Sequence, residues 1–290
     1  MDPKNVSIIV PFYNEEVSLA EFAGKISDFA KVHGFELIFV NDGSTDNSIR
    51  ILQENHVVCI SHHTRYGYGA SLKTGVKAST RDYVIFVDAD GQHKLGDVLH
   101  ITRLADGQGM VIGERGNLYR LRLFTVLGRF ILTTLVNFLT KSKIHDINSG
   151  LRLVPKEFFL RYQSVLPDSF SCTTTLTIIA IRLRLKLKFV PIEVLRRKGA
   201  SKVNLFLDGM NLVMTILRTI VLLDPLAIFL PISLSLILTA LAYGLWVALR
   251  HGMGIPVCSM LLFETGIIVF VLGVICDQIS SLRLSMLKRG

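Results

Sequence analysis

The chain has 290 residues, of which 50% are hydrophobic and only 19% charged, with a mean hydropathy of +0.46. This composition excludes a disordered chain, because such chains are poor in apolar residues, and it excludes a collagen-like one. It is also too apolar for an ordinary soluble enzyme. The four cysteines are scattered and form no CxxC pair, which argues against a disulfide scaffold or zinc site and favours a reducing compartment.

The formal net charge of +9 is divided unevenly along the chain. Residues 1–114 carry 10 Lys/Arg and 15 Asp/Glu, a net charge of −5, whereas residues 115–290 carry 22 and 8, a net charge of +14. A basic region of this kind is typical of proteins that bind nucleic acid, an anionic membrane or phosphorylated ligands. The hydrophobic pattern must therefore decide among these partners.

The first 114 residues alternate between short apolar runs and stretches of helical periodicity. The apolar runs predict strands at Val6–Val10, Phe35–Val40, Val57–Ile60, Tyr83–Asp88 and Met110–Gly113. Helices are predicted between them, from about Leu19 to Gly34 and at Ser44–Glu54, Ala70–Ala78 and Asp97–Leu104. Strands that are apolar throughout and alternate with helices predict an α/β fold with a mostly parallel sheet, covered on both faces.

Polar and glycine-rich sequence follows each predicted strand, at the edge where parallel sheets bind their ligands. The most informative segment is Asp88-Ala89-Asp90-Gly91-Gln92-His93. Two carboxylates two residues apart, just after an apolar strand, can hold a hard divalent cation that bridges a diphosphate. Taken alone, the pair is better explained as a strand-end turn. The GQH that follows it and the earlier NDGSTD segment favour a nucleotide site.

Two basic patterns occupy the middle of the chain. Residues 115–143 contain six Lys/Arg and no acid among apolar residues, which predicts an amphipathic segment at a membrane interface. In the run RLRLKLK, residues 182–188, charges alternate with leucines. The run is either the solvated face of an amphipathic strand or a lipid-facing basic edge. His62 and His63 have no metal-ligand or catalytic spacing and are interpreted as loop residues.

The C-terminal region predicts a transmembrane hairpin. Pro225–Leu249 carries no charge, and Pro256–Cys276 is interrupted only by Glu264. Each run is long enough to span about 30 Å of hydrocarbon. Lys and Arg are enriched on both flanks, which predicts that the flanks and the N-terminal region face the cytosol, and no signal-peptide pattern opens the chain. Glu264 is either a functional group or a carboxyl that is protonated or bonded to the neighbouring helix.

Six motifs occur in order along the chain, namely VPFYNEE, NDGSTDNS, RYGYGASLKTGV, DADGQH, HDINSGLR and RRKGASK. Together they resemble the GT-A glycosyltransferases of the dolichyl-phosphate mannose synthase and polyprenyl-phosphate glycosyltransferase type, in glycosyltransferase family 2. The resemblance covers essentially the whole chain and implies a Rossmann-like GT-A domain with interfacial helices. It implies a catalytic domain at 1–204 with an interfacial segment at about 118–141, a juxtamembrane helix at 205–224, the hairpin at 225–280 and a basic tail at 281–290.

The resemblance also implies roles for individual residues. The nucleoside would be lined by Pro11, Tyr13, Glu15, Val40 and Asp42. Asp88, Ala89 and Asp90 would meet the diphosphate, and Asp88, Asp90 and Gln92 would hold Mg²⁺ or Mn²⁺. Phosphate would be bound by Arg115, one of Arg122 and Arg129, Ser149, Arg196 and Lys202, with Asp146 near the sugar and acceptor. The predicted catalytic residues are Asp88, Asp90 and Arg115. Asn41-Asp42 replaces the family's usual pair of aspartates, so the identity of the nucleotide stays open. Thr173–Thr175 stands where many relatives carry an acidic residue nearby, so the identity of the sugar stays open too.

We therefore predict the metal-dependent, inverting transfer of one sugar from GDP-mannose or a UDP-hexose to dolichyl or undecaprenyl phosphate. A phosphate monoester has a second pKa of about 6, so this acceptor is already anionic and needs positioning more than a general base. The expected location is the cytosolic face of an inner or endoplasmic reticulum membrane. A nucleic-acid partner is not expected, and a homo-oligomer, tetrameric in some relatives, stays open.

Two alternatives to this function remain. A processive polysaccharide synthase is disfavoured because such enzymes carry a QxxRW signature, and the only tryptophan here, Trp246, lies inside a span. An inactive membrane scaffold that binds lipid phosphate is disfavoured by the intact Asp88 and Asp90 pair.

Overall fold

A computed structural model of the chain describes residues 1–55, 57–115, 149–193, 225–252 and 254–289. The chain divides into two compact units, Met1–Met210 and Asn211–Gly290, which are described separately. The strands of the first unit are β1 Val6–Phe12, β2 Glu36–Asn41, β3 Cys59–Ser61, β4 Tyr83–Phe86, β5 Gly109–Arg115, β6 Arg152–Pro155 and β7 Lys186–Ile192. Its helices are α1 Glu16–His33, α2 Ser48–Glu54, α3 Tyr68–Ala78, α4 Leu95–Leu104, α5 Lys156–Tyr162 and α6 Cys172–Arg182.

The described strands form one sheet in the order β3-β2-β1-β4-β6-β5-β7. All neighbouring pairs are parallel except those of β6, which runs antiparallel to both β4 and β5. Phe86 at the end of β4 pairs with Arg152 at the start of β6. The carboxyl ends of the parallel strands and the amino end of β6 therefore meet at one edge of the sheet, which we call the ligand edge.

The core lies between the sheet and helices that pack with one apolar stripe. In α1 the stripe consists of Leu19, Phe22, Ala23, Ile26 and Ala30, all buried and spaced at the helical repeat. Burial of a side chain the size of leucine contributes about 1.5–3 kcal/mol, so this stripe fixes the helix on the sheet. The helix ends at Gly34, whose φ of 81° is the left-handed conformation that glycine adopts without strain.

The mostly parallel α/β fold predicted from the sequence is confirmed, and the bounds of its elements shift by a few residues. Strand β1 was predicted to end at Val10, but it continues through Pro11 to Phe12. Helix α2 begins at Ser48 instead of Ser44, because the intervening residues form turns that bond to Asn41 and Asn14. Such side chain to backbone bonds compete with helix formation.

The period-two run RLRLKLK is only partly a strand. Arg182 ends α6, Arg184 has a φ of 56°, and β7 begins at Lys186. The alternation of exposed charges and half-buried leucines nevertheless runs through all seven residues. Lys186 pairs with Asp106, which bonds the outer strand of the sheet to the loop before β5.

The second unit contains two long apolar helices, α7 Leu226–His251 and α8 Val257–Arg289. Each holds a segment of 26 residues long and apolar enough to cross a membrane, Leu226–His251 and Val257–Leu282. The helices pack through small residues seven positions apart, because Ser233 and Ala240 on α7 are buried with Ser259, Gly266 and Gly273 on α8.

The backbones of the two helices approach closely along this stripe. A Cβ added to Gly266 would lie 2.6 Å from the Ile237 side chain, and one added to Gly273 would lie 2.6 Å from Phe229. The Ser259 hydroxyl donates to the Ala240 carbonyl at 2.6 Å. Glu264 is exposed on the hairpin, and no hydrogen bond to the neighbouring helix is seen among the described residues. A functional role or a protonated carboxyl stays a prediction.

Candidate active site

The predicted carboxylate pair lies where β4 reaches the ligand edge. After Phe86 the chain makes one more sheet-like bond, from the Val87 amide to the Ile9 carbonyl at 3.0 Å, and then turns. Gly91 adopts a φ of 69°, and the Gln92 amide donates to Asp90 Oδ1 at 3.0 Å. This turn, which the sequence predicted, brings Asp88 and Asp90 to the ligand edge.

The Asp88 carboxylate is held at both oxygens. The Tyr68 hydroxyl donates to Oδ1 at 2.9 Å, and His93 Nε2 lies 3.3 Å from Oδ2. Burial would raise the pKa of Asp88, but the hydrogen bonds from His93 and Tyr68 and the charge of Arg115 lower it below its ordinary value. A Cβ added to Gly150 would lie 2.2 Å from Oδ2, so a larger residue there would displace the Asp88 carboxylate. Asp88 is therefore a charged carboxylate of fixed orientation.

Asp42 binds the chain around it. Its carboxylate accepts hydrogen bonds from the amides of Tyr66 at 2.9 Å and Gly67 at 2.9 Å, and His62 Nδ1 lies 3.0 Å from Oδ1. The other ring nitrogen of His62 lies 2.8 Å from the Thr74 hydroxyl. His62 is thus a loop residue, as predicted, but its side chain is only 9% exposed and connects Asp42 to α3. The Asp42 carboxylate therefore fixes the conformation of the loop before α3, and it also lies at the predicted nucleoside site.

The other predicted nucleoside residues lie at the ends of β1 and β2. Pro11 and Val40 are register partners in these strands, and both are buried, so the Val40 side chain belongs to the core. Tyr13 is half-buried, and the exposed Arg65 places its guanidinium carbon 4.4 Å from the Tyr13 ring centroid. Glu15 accepts a hydrogen bond from Ser18 at 3.1 Å. Tyr13 and Arg65 present a planar, cationic surface suited to a nucleoside.

Ser149 is wholly buried just before β6, and its hydroxyl has no partner among the described residues. Its carbonyl accepts from the wholly buried Arg152, whose Nη1 also donates to the Thr173 carbonyl at 2.6 Å and the Thr177 hydroxyl at 2.7 Å. Arg152 therefore joins the start of β6 to the first turns of α6. The sequence did not single out this arginine.

Of the predicted phosphate-binding residues, the structure describes Arg115 and Ser149. Arg115 ends β5 opposite Ile192 of β7, and its charge reaches Asp88, whose pKa it lowers. Both residues therefore lie at the ligand edge. Five further residues fall outside the described part of the chain, as do the interfacial segment at about 118–141 and the juxtamembrane helix at 205–224: Arg122, Arg129, Asp146, Arg196 and Lys202.

The donor set at this edge fits a cation that is shared with a ligand. Within the described ranges, no three His, Cys, Asp or Glu side chains converge on one point. Asp88 and Asp90 supply carboxylate oxygens, but Asp88 already accepts at both of its own. Mg²⁺ is commonly held by one or two carboxylates and completed by water and substrate phosphates, and this pattern matches that arrangement.

Two parts of the chain match models of known protein families. The model of glycosyl transferase family 2 matches residues 7–163. The chain belongs to glycosyl transferase family 2. The model of the GtrB C-terminal hairpin matches residues 224–282, which contain α7 and most of α8. The chain is thus a family 2 glycosyltransferase that carries a C-terminal hairpin, as the sequence motifs indicated.

Similar proteins match over different lengths. Glycosyltransferase AglJ of Haloferax volcanii is 28% identical over 301 aligned residues, which cover 99% of this chain and 97% of that protein. The undecaprenyl-phosphate 4-deoxy-4-formamido-L-arabinose transferase of Proteus mirabilis is 34% identical over 118 residues, covering 38% of this chain and 36% of that one. The transferase of the same name from Photorhabdus laumondii is 29% identical and matches over 48% of its length.

Solved structures confirm the fold. Glucosyl-3-phosphoglycerate synthase of Mycobacterium tuberculosis, in complex with Mg²⁺ and UDP, superposes with a TM-score of 0.61 at 22% identity. The match covers 74% of this chain and 79% of that one. The same synthase with Mn²⁺, UDP and glucosyl-3-phosphoglycerate gives a TM-score of 0.59 at 20% identity.

Proposed function

We propose that this glycosyltransferase moves one sugar from a nucleotide sugar to a polyprenyl phosphate. The proposal rests on one observation. The same chain contains a family 2 domain, with Asp88 and Asp90 at its ligand edge, and an apolar C-terminal hairpin. A water-soluble acceptor would not require such a hairpin, whereas a lipid acceptor must be met at the membrane. Relatives named as undecaprenyl-phosphate transferases support the same acceptor class.

On the donor side, the nucleoside binds near Tyr13 and Asp42, and the diphosphate binds at Asp88 and Asp90. Bound Mg²⁺ or Mn²⁺, held by Asp88 and Asp90 with Gln92 nearby, would neutralise charge on the departing nucleoside diphosphate. Tyr68 and His93 keep Asp88 oriented for this task. Because the pKa of Asp88 is lowered, its carboxylate is charged throughout the neutral range.

On the acceptor side, a phosphate oxygen attacks the anomeric carbon from the face opposite the leaving group. One carbon–oxygen bond forms as the bond to the nucleoside diphosphate breaks, so the configuration inverts. The acceptor oxygen is already anionic, and the protein's task is to position it. Arginine binds phosphate with its planar fork of donors, which suits Arg115 and the predicted Arg122, Arg129 and Arg196, with Lys202 as a further cation and Ser149 as a hydroxyl donor. Asp146 is proposed to lie near the sugar and acceptor.

The hairpin is proposed to cross the membrane with both ends in the cytosol, so that the catalytic domain, residues 1–204, works on the cytosolic leaflet. Basic residues are concentrated before and after the hairpin, whereas the loop between its helices holds Arg250 and His251. Positive charge of this kind marks the cytosolic side. The basic segment at 118–141 and the helix at 205–224 would then lie at the surface that presents the lipid phosphate.

The test is transfer of radiolabelled sugar from a donor panel, beginning with GDP-mannose and UDP-glucose, to extractable lipid with Mg²⁺ or Mn²⁺. We expect a lipid-linked product from one donor. We expect Asp90→Ala to abolish transfer without changing the melting temperature, because it removes a half-buried carboxylate from the turn after β4 and not a side chain from the core. The matched control is Asp82→Ala, an exposed carboxylate just before the other end of β4. Nucleotide binding without lipid product from any donor would overturn the function in favour of a scaffold.

A further inference from the structure

An exposed aromatic side chain stacks on the tyrosine that donates to Asp88. Phe170 is 73% exposed, although one face of its ring stacks on Tyr68, with centroids 5.0 Å apart and planes at 15°. The hydroxyl of Tyr68 donates to Asp88 Oδ1. Phe170 is therefore connected to the site by a single intervening side chain, and most of its apolar surface faces outward.

The loop that carries Phe170 is firmly held. The Asp168 carbonyl accepts from the Gly69 amide at 2.8 Å, and Lys73 Nζ donates to the Leu166 carbonyl at 2.6 Å and the Asp168 carboxylate at 2.7 Å. A Cβ on Gly69 would lie 2.2 Å from the Pro167 carbonyl oxygen. These contacts keep the aromatic ring exposed, although exposing such a ring to water costs free energy.

The position of the loop along the sheet indicates which part of a donor would meet the ring. The nucleoside residues lie at the ends of β1 and β2, the carboxylates follow β4, and β6 is the next strand of the sheet. Phe170 immediately precedes α6, whose Thr173 carbonyl is joined through Arg152 to Ser149, before β6. A donor laid from β2 across Asp88 thus places its sugar toward β6 and the start of α6.

We propose that Phe170, supported by Tyr68, is the surface on which the sugar ring of the nucleotide sugar packs through its apolar C–H face. This inference rests on the proposed function and adds a specificity-determining residue to it. A flat aromatic face recognises a sugar by the area of its C–H face and rejects sugars whose axial hydroxyls interrupt that face. Phe170 takes no part in bond making or breaking.

The experiment compares nucleotide sugars with the same nucleotides lacking sugar, using full-length protein in detergent with Mn²⁺. UDP-glucose is measured against UDP and GDP-mannose against GDP by calorimetry, for wild type, Phe170→Ala, Phe170→Tyr and the control Val32→Ala, an exposed apolar residue on α1. We expect Phe170→Ala to weaken binding of the nucleotide sugar about five- to tenfold, the effect of losing one aromatic contact, and to leave nucleoside diphosphate affinity unchanged. Phe170→Tyr should restore the affinity, and Val32→Ala should match wild type.

Three results would overturn this proposal. If Phe170→Ala binds the nucleotide sugar as tightly as wild type does, the sugar does not pack on Phe170. A rise in the KM for polyprenyl phosphate, with that for the donor unchanged, assigns the ring to the lipid instead. Loss of nucleoside diphosphate binding together with a lower melting temperature shows a structural role. Wild-type protein that binds nucleotide sugars yet makes no lipid-linked product would refute the proposed function alone, because the calorimetric comparison does not depend on transfer.

Discussion

The carboxylate of Asp88 is held by two side chains. Its Oδ1 accepts from the Tyr68 hydroxyl, 20 residues away along the chain, at 2.9 Å, and its Oδ2 lies 3.3 Å from Nε2 of His93 in the same turn. Asp88 is therefore oriented before any ligand arrives, and hydrogen bonds that are already formed at a charged group do not have to be organised during the reaction.

The Tyr68 hydroxyl is predicted to set the lower pH limit of activity. In Tyr68→Phe the ring that supports Phe170 remains, but the hydrogen bond to the charged form of Asp88 is lost. A bond to the charged form lowers a carboxyl pKa, so its removal raises the pKa of Asp88 and moves the acidic limb of the pH–rate profile to higher pH. Bonds to charged groups are worth about 1.5–3 kcal/mol, so transfer at neutral pH should fall about tenfold or more.

The control for this prediction is Tyr66→Phe, which removes an exposed hydroxyl two residues away. Its pH–rate profile should coincide with that of wild type. An unchanged acidic limb in Tyr68→Phe would contradict the role given to this hydrogen bond.

The sequence was sufficient to predict the position of Asp88 and Asp90, but not the residues that bond to Asp88 or hold the segment beside it. An apolar run that ends in two carboxylates is a local pattern, and a local pattern can be interpreted without a fold. Tyr68 lies 20 residues from Asp88 along the chain, and Arg152 lies 21 from Thr173. Such contacts can be predicted only once the order of the strands is known, so nothing in the sequence marked the first residue of β6 as a buried arginine.

At the scale of elements, Glu36 joins three segments at the amino end of the sheet. Its carboxylate accepts from the Ser7 hydroxyl of β1, from the Thr80 amide at 2.9 Å and from the Thr80 hydroxyl at 2.9 Å. Partial burial would raise the pKa of Glu36, but these hydrogen bonds and the charge of Arg81 lower it. The carboxylate therefore stabilises the fold in its charged form.

Glu36→Gln is expected to lower the melting temperature at neutral pH. A group whose pKa is lowered by folding contributes stability above its unfolded pKa and loses it as the pH falls through the folded pKa. The difference between wild type and variant should be about 1–2 kcal/mol near pH 7 and should shrink as the pH falls below the ordinary range of glutamate. Thermal unfolding of the full chain in detergent between pH 3 and pH 7 measures it.

Glu54→Gln is the matched control, because Glu54 is exposed and pairs only with Arg50 on the same helix among the described residues. It should change stability by a few tenths of a kcal/mol at most. A Glu36→Gln difference that persists unchanged at low pH would show that the charge is not the stabilising feature.

The junction between α3 and the loop before α6 tolerates no side chain at Gly69. In Gly69→Ala the new methyl would lie 2.2 Å from the Pro167 carbonyl oxygen and 2.9 Å from Cys172 Cβ, so the loop must move. We expect a loss of about 2 kcal/mol or more. Gly96→Ala, on α4 with nothing within 4 Å of its Cβ, should be neutral or stabilising by up to about 1 kcal/mol. Melting temperatures test both variants. A Gly69→Ala variant that melts at the wild-type temperature would contradict the close packing of Gly69 against the loop before α6.

The elements that escaped sequence analysis are those with the least periodicity. β6 has only four residues, and nothing in RLVP distinguishes a strand that runs antiparallel to its neighbours. Helix α6 buries nearly its whole surface, including Thr173 and Thr177, so it has no polar face from which a helical repeat could be recognised. The first five strands were found because apolar runs between turn-forming residues need no partner to be recognised.

At the scale of the whole molecule, the hairpin accounts for much of the apolar composition. The positive charge on both flanks of the hairpin is the basis for its predicted orientation in the membrane. Each helix of the hairpin carries a 26-residue segment that is mostly exposed in the absence of lipid. Residues 115–290 hold the excess of positive charge, a net of +14, from 22 basic and 8 acidic residues. A chain of this kind is expected to resist extraction from membranes by salt.

The orientation is testable with single cysteines. Gly254→Cys lies in the loop between the hairpin helices, where an added Cβ meets nothing within 4 Å, and Val32→Cys lies on the exposed face of α1. In bacterial spheroplasts, with the native cysteines replaced by serine, a membrane-impermeant maleimide should label Gly254→Cys at once. It should label Val32→Cys only after lysis. Labelling of Val32→Cys in intact spheroplasts would contradict a cytosolic catalytic domain.

The direction of β6 has one more consequence. β5 ends at Arg115 and β6 starts at Arg152 on the same edge of the sheet, joined by a bond from the Gly113 amide to the Leu151 carbonyl at 2.9 Å. The two described ends of the chain, at Arg115 and Ser149, therefore lie at neighbouring points of the sheet beside Asp88. A segment attached in this way can be exchanged between relatives, or changed in length, without shifting the register of any strand. Under the proposed function, in which residues 118–141 meet the lipid acceptor, acceptor preference can therefore diverge by replacement of this segment while the donor half of the enzyme stays intact.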